Sequence, residues 1–340
     1  MRLTWQPYNL QLKYPFTISG FSRTYTPIML TQLIFEGHTG YGEASMPPYL
    51  GENHDSAHAF LSLIDLSQFK NPKEQKENIL RYIDSIAPGN TAAKASVDIA
   101  LHDLIGKIEE SSCWKMFNTD PNKMPYNSCT IGIDKPEVIL KKVADAKHFK
   151  VLKVKLGSDN DKLLINTIRS ATAKPLYVDA NQGWKDKQEA LEMIHWLSEN
   201  NCVLIEQPMP KELLTEAAWL SQHSPLPIIA DEAFQRLPDI EKIKGAYSGI
   251  NIKLMKCTGL AEAQKIIAVA RHNGLKILMG CMSETSCAIN AAAQLAPFCD
   301  WADLDGPFLV SNNPFKTTEM KDGKIVLNDL NGIGVELLPS

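Results

Sequence analysis

From about residue 125 the chain repeats one pattern eight times, a short apolar stretch of strand character followed by a stretch with helical spacing. The strand candidates are Asn127–Ile131, Leu152–Leu156, Leu176–Asp179, Val203–Glu206, Ile228–Asp231, Ile250–Leu254, Ile277–Met279 and Trp301–Asp305. Between them, segments such as EVILKKVADAKHF and AEAQKIIAVARHNG place apolar residues three and four apart. Strand, helix, strand in this order implies right-handed crossovers and a parallel sheet. Eight such units fit a (β/α)8 barrel better than an open doubly wound sheet, and no GxGxxG follows the first strand to suggest a dinucleotide. The fold class expected is therefore α/β, a TIM-like barrel.

Residues 1–120 read differently. Leu10–Lys13 and Thr31–Phe35 look like antiparallel strands, with GHTG as the hairpin turn into GYGEA. Thr91–Glu110 is a helix with one apolar stripe of Val97, Leu101, Leu104, Ile105 and Ile108. Beyond residue 310, KIVLNDL is a strand with no helix after it. The expected organisation is an α+β capping domain over 1–120, the barrel over 121–310, and a tail over 311–340 that returns to the cap.

In such a barrel, chemistry gathers at the carboxyl ends of the strands. Asp179, Glu206 and Asp231 end three consecutive strands, in LYVDAN, VLIEQP and IIADEA, separated by 27 and 25 residues. A strand-end Asp often only caps the next helix. Three buried carboxylates in succession would repel one another, which calls for a cation. All-oxygen ligation without His or Cys favours Mg²⁺, with Mn²⁺ as the alternative.

Strand parity then places the lysines. In LKVKLG, Leu152, Val154 and Leu156 suit the helix-covered outside, so Lys153 and Lys155 point into the barrel mouth. In GINIKLMK, Asn251, Lys253 and Met255 point inward, and Lys256 has the outward parity of a solvated residue near the strand end. Lys155 and Lys253 are expected on opposite sides of the metal, where one could remove a carbon-bound proton and the other replace it. Racemisation and epimerisation need both steps. A base of this kind works best with its pKa brought down to roughly 7–8, and a neighbouring cation repels the ammonium in that sense.

The remaining features exclude more than they identify. A net charge of -4 gives no reason to expect nucleic acid or an anionic membrane as partner. The N-terminus lacks the apolar core of a signal peptide, and no apolar run has the length of a membrane span. Seven dispersed cysteines without CxxC read as reduced thiols, which suggests the cytoplasm.

KVKLG, VDANQGW, IEQP, ADEA and NIKLMKCTG, in this order, resemble the enolase superfamily in its muconate-lactonizing-enzyme subgroup. GYGEA and the Thr91–Glu110 helix look like its capping domain. ADLDGP at the eighth strand is similar to the Asp-x-Asp with which dipeptide epimerases of the L-Ala-D/L-Glu type bind the substrate's free ammonium. The resemblance implies that Lys155 and Lys253 are the acid/base pair and that Asp179, Glu206 and Asp231 bind Mg²⁺. It sets Lys153 against the substrate carboxylate, Asp303 and Asp305 on the ammonium, and Thr130, Cys281 and Thr24 in contact with substrate. The substrate would be a dipeptide, epimerised at the α-carbon of its C-terminal residue, and the family often forms homo-oligomers. N-succinylamino acid racemisation, o-succinylbenzoate synthesis and muconate cycloisomerisation are the alternatives within the subgroup. The cap loop FTISGFSRTYT, where Arg23 and Thr24 fall, departs in spacing from relatives that use an Arg to hold a glutamate side chain. The side chain of the second residue stays open, acidic or small and apolar.

Overall fold

The computed structural model describes residues 1–18, 21–158 and 160–339. Three strands, β1 (Arg2–Ile18), β2 (Phe21–Phe35) and β3 (His38–Ser45), form an antiparallel sheet in sequence order. These strands run much longer than the two short segments expected. The β2–β3 turn is Glu36–Gly37, with φ of 46° and 82°, so the hairpin closes on two left-handed residues, ahead of most of the GHTG segment. Residues 19 and 20 of the FTISGFSRTYT loop lie outside the described residues.

The helix Thr91–Ile108 packs across this sheet. Gly42 permits the contact, since a Cβ there would stand 1.9 Å from the Ser96 carbonyl oxygen. The apolar stripe read from the sequence is only part of this helix's burial. Ser96, Asp98, His102 and Asp103 are buried as well, because the other side of the helix meets the barrel and the tail instead of water.

Eight parallel strands follow: β4 (Ser128–Ile131), β5 (Val151–Lys155), β6 (Leu176–Asp179), β7 (Cys202–Glu206), β8 (Ile228–Ala230), β9 (Gly249–Ile252), β10 (Lys276–Gly280) and β11 (Trp301–Asp303). They pair in sequence order, and a parallel bridge between Asn127 and Ala302 brings β11 back to β4. The Asn127 side chain locks this seam by accepting from Leu304 N at 2.7 Å and donating to Leu304 O at 3.2 Å. The barrel is thus closed, as the strand–helix repeat predicts. Val151, Tyr177, Leu204, Ile229 and Leu278 fill its interior as a separate apolar cluster. The functional rim rests on this packed floor.

The tail departs from expectation at KIVLNDL. Only Lys324–Ile325 is strand, paired with Met320–Lys321 in a small hairpin. Its end reaches the N-terminal part through backbone bonds, Cys113 N to Gly332 O at 2.7 Å and Gly332 N to Ser111 O at 2.9 Å. Ile333 N also donates to Asp103 Oδ1 at 2.9 Å. Among the described residues no helix is long and apolar enough to cross a membrane.

Candidate active site

Register carries the charged side chains to one level. Lys155 pairs with Asp179 across β5–β6, and Asp179 pairs with Glu206 across β6–β7. Asp231 follows β8 and Lys253 follows β9 by one residue each. Five consecutive strands therefore deliver lysine, three carboxylates and lysine in order. In a closed ring of eight, β5 and β9 are four strands apart, so Lys155 and Lys253 stand on opposite walls.

Asp179, Glu206 and Asp231 are buried, each with a carboxylate oxygen within 4.8 Å of the others. Lysines surround them. Lys155 Nζ donates to Asp179 Oδ2 at 2.6 Å, and Lys253 Nζ donates to Asp231 Oδ2 at 2.6 Å. Lys153 Nζ stands 3.1 Å from Asp179 Oδ2 and 2.7 Å from Glu206 Oε2. Burial works to raise the Asp179 pKa, but Lys155 and then Lys153 bring it to about 2. Glu206 goes the other way, pushed up to about 7 by burial and then by Asp179. A carboxyl held so high beside two others marks a cluster with spare affinity for positive charge. Three carboxylates with oxygen donors alone suit Mg²⁺, and the residues fit that ion.

Burial lowers the pKa of Lys253, but Asp231, Tyr49 and Glu206 together outweigh it and leave the ammonium well above its ordinary value. The lowering that a lysine base needs is therefore not a property of the protein's own charges here. A cation that engages Asp231 and Glu206 would remove the largest part of the upward shift.

Lys256 corrects the sequence reading. It is not solvated but buried, and its Nζ donates to Asp231 Oδ1 at 2.6 Å, Asp231 O at 2.9 Å, Phe234 O at 2.9 Å and Asn251 O at 3.0 Å. Strand parity failed because the strand ends at Ile252, and residues from Leu254 onward turn back under the rim.

A cavity of about 930 Å³ opens over this cluster, with Lys153, Lys155 and Lys253 at its base. Asp303 and Asp305 line it as well, from the end of β11 across the ring from Glu206. Asp303 accepts from Ser128 Oγ at 2.6 Å and from Lys153 Nζ at 2.8 Å, and Asp305 accepts from Thr130 N at 2.6 Å. Burial and then Asp303 push the Asp305 carboxyl up to about 7. Thr130 and Cys281 both border the cavity, and burial pushes the Cys281 thiol well up. Thr24 does not border it. Thr24 is exposed, and its neighbour Arg23 turns inward, donating from Nη2 to Ser283 Oγ at 2.9 Å. Alternation along β2 puts the two side chains on opposite faces, which decides between them.

Three contributors carry no assigned role in the sequence reading, although parity already turned Asn251 inward. Asn251 donates to Glu206 Oε1 at 2.7 Å. Gln207 accepts from Asp231 N at 2.9 Å and Ala233 N at 3.0 Å, fixing the turn that carries Asp231. Tyr49 reaches the cavity from the cap and donates to Met282 Sδ at 2.8 Å. Asn251 and Gln207 sit inside NIK and IEQP, so the motifs held the signal. Tyr49 lies in no motif and depends on how the cap docks.

Comparison with known proteins places this arrangement. Residues 138–340 match the family model "Enolase C-terminal domain-like", and residues 2–117 match "Mandelate racemase / muconate lactonizing enzyme, N-terminal domain". An L-Ala-D/L-Glu epimerase from Bacteroides thetaiotaomicron is 55% identical over 336 residues, covering 98% of this chain and 88% of that protein. The structure of a substrate-liganded L-Ala-D/L-Glu epimerase from Bacillus subtilis superposes with a TM-score of 0.90 at 26% identity, covering 98% of each chain. A dipeptide epimerase from Enterococcus faecalis complexed with Mg and L-Leu-L-Tyr gives a TM-score of 0.89 at 29% identity, again over 98% of each chain. With the closed barrel, its antiparallel cap and the carboxylate triad between two lysines, the chain belongs to the mandelate racemase/muconate lactonizing enzyme family of the enolase superfamily.

Proposed function

We propose that this protein is a Mg²⁺-dependent dipeptide epimerase that inverts the α-carbon of the substrate's C-terminal residue. One observation carries the reading: two lysines on opposite walls face a common cavity whose third wall bears Asp303 and Asp305. The similar epimerases, two of them solved with substrate or with Mg and a dipeptide, support it.

Asp179, Glu206 and Asp231 would hold the ion, which supplies positive charge beside the substrate carboxylate as negative charge builds there. Lys155 or Lys253, as the free amine, takes the α-proton into its lone pair from one face of the carbon. The C–H bonding electrons remain on the substrate, delocalised into its carboxylate. The opposite lysine, as ammonium, then returns a proton to the other face. Lys153 adds positive charge near the substrate carboxylate. Asp303 and Asp305 receive the free ammonium and fix which end of the dipeptide enters. Arg23, in the cavity wall, offers a guanidinium to the second side chain, which favours an acidic residue there.

The reading extends to organisation. The separation of a cap over 1–120 from a barrel over 121–310 is supported by the two family models, which leave a gap between residues 117 and 138, and the returning tail by the backbone bonds between Gly332 and residues 111 and 113. Seven cysteines, all free thiols, support a reducing compartment. Homo-oligomeric assembly rests on the family resemblance alone.

The experiment is a dipeptide screen in D2O with and without Mg²⁺, read by mass spectrometry. One deuterium should enter at the α-carbon of the C-terminal residue, with L-Ala-L-Glu among the best substrates. Comparable exchange on N-succinyl amino acids would move the assignment to a racemase of the same family.

A further inference from the structure

Two carboxylates of the N-terminal part lie buried at the starts of two barrel helices. Asp98 accepts from Leu260 N at 2.5 Å and Ala261 N at 3.3 Å, at the start of the helix Leu260–His272. That helix lacks a side-chain cap of its own, because its N-cap residue is Gly259. The glycine is required there, as a Cβ would stand 2.4 Å from Asp98 Oδ1. Glu43 does the same one unit later. It accepts from Thr285 N at 2.9 Å, from Thr285 Oγ1, and from Ala288 N at 3.3 Å, at the start of the helix Ser286–Ala293. A carboxylate at a helix N-terminus answers both the free N–H groups and the helix dipole.

The two contacts hold different things. The segment that Glu43 anchors, from Cys281 to Thr285, forms cavity wall through Cys281, Met282 and Ser283. Cap residues grip the same segment from several sides. Ser45 Oγ donates to Ser283 O at 2.7 Å, Arg23 Nη2 to Ser283 Oγ at 2.9 Å, and Tyr49 to Met282 Sδ at 2.8 Å. Within the segment, Glu284 Oε1 accepts from Met282 N at 2.9 Å. The wall around Arg23 is therefore built half from the cap and half from this segment. Glu43 is the buried contact that fixes their relative position, accepting from Thr285 N, Thr285 Oγ1 and Ala288 N.

We propose that Glu43 is a positioning residue for substrate side-chain selectivity, acting through Thr285 on Met282 and Ser283 without touching the substrate. The inference rests on the epimerase reading for its substrates but not for its geometry. Replacing one Glu43 carboxyl oxygen by an amide NH2, which cannot accept these hydrogen bonds, should loosen one wall of the second side-chain site while leaving Lys155, Lys253 and the carboxylate triad in place. The effect should then depend on the length of that side chain.

The test compares wild type with Glu43→Gln on L-Ala-L-Glu and L-Ala-L-Ala at saturating Mg²⁺. KM for L-Ala-L-Glu should rise about tenfold, KM for L-Ala-L-Ala should stay within about twofold, and kcat for both should stay within about threefold. An equal rise in both KM values, or an equal fall in kcat, would overturn the proposal. Amide hydrogen exchange supplies a readout independent of activity. In Glu43→Gln, exchange at residues 282–288 should quicken by about tenfold or more, while 260–272, held by Asp98, should not change. Unchanged exchange at 282–288 overturns the proposal. If Glu43→Gln does not fold, Thr285→Val, which removes the hydroxyl that donates to Glu43 and also accepts from Cys287 N, should show the same KM pattern at smaller size, with exchange read at residues 282–285. A wild type that exchanges no α-proton on any dipeptide would remove the epimerase reading, and amide exchange would still decide the role of Glu43.

Discussion

Lys153 Nζ donates to Asp303 Oδ2 at 2.8 Å while standing 2.7 Å from Glu206 Oε2, so one ammonium joins the metal-ligand group to the opposite wall. Each carboxylate needs that charge while buried. On the proposed epimerase reading, a dipeptide ammonium reaching Asp303 would compete with Lys153 and free it toward the substrate's own carboxylate, linking metal, ammonium and carboxylate recognition through one side chain.

Asp303→Asn keeps the shape of that wall and removes its charge. Dipeptides with a free amino group should lose about tenfold or more in kcat/KM, while their N-acetylated counterparts should change little. Steady-state kinetics on matched pairs measures this, and equal losses on both would contradict the ammonium assignment.

Single lysine substitutions should separate the two faces of the α-carbon. Lys155→Ala and Lys253→Ala should each abolish epimerisation, with losses on the order of 10³-fold or more. Each variant should still wash deuterium into one of the two isomers, and the two variants should differ in which isomer that is. Proton NMR in D2O follows the exchange. Identical stereochemical behaviour in the two variants would exclude a two-sided mechanism.

Lys256 should matter for stability although it does not border the cavity. Lys256→Met strips the donor from Asp231 Oδ1 and from the carbonyls of Asp231, Phe234 and Asn251. The loss should be about 3–5 kcal/mol in urea denaturation, with weaker Mg²⁺ binding by calorimetry because Asp231 is no longer fixed. A variant as stable as wild type would show that Lys256 is merely accommodated.

The cap–barrel junction should make stability depend on pH. Burial pushes the Glu43 carboxyl up to about 7, and burial followed by the Glu43 charge pushes Glu284 up to about 8. The unfolded chain releases both protons near the ordinary value of 4.5. Between these values the folded protein holds more protons than the unfolded chain, so stability is fully present below about 4.5 and is lost as pH rises to about 8. The two carboxyls together contribute on the order of 8 kcal/mol, which lowers Tm by roughly 10 °C over that range. Glu284→Gln should flatten the Tm profile between pH 5 and 8, and parallel profiles for variant and wild type would refute the cause given.

The barrel and its rim were legible because both follow from periodicity. Strands recurring every 22 to 28 residues left few topologies, and alternation within LKVKLG and GINIK pointed Lys153, Lys155 and Lys253 inward. The same rule misplaced Lys256, since alternation applies only while the strand lasts and β9 stops at Ile252. Thr24 and Arg23 show the complementary difficulty. Their alternation was fixed, but which face of β2 met the cavity depended on the sheet's docking.

The sequence by itself determined the strand order, the triad of Asp179, Glu206 and Asp231, and the two lysines that flank it, because local hydrogen bonding and burial impose those spacings. Only the tertiary structure decided what joins the cap to the barrel: Asp98 at the Leu260 helix, Glu43 at Thr285, and Arg23 and Tyr49 at the cavity wall. Those pairs lie far apart in sequence, and a buried carboxylate finds its helix N-terminus only once both elements are packed, since no periodicity along one segment encodes a partner on another.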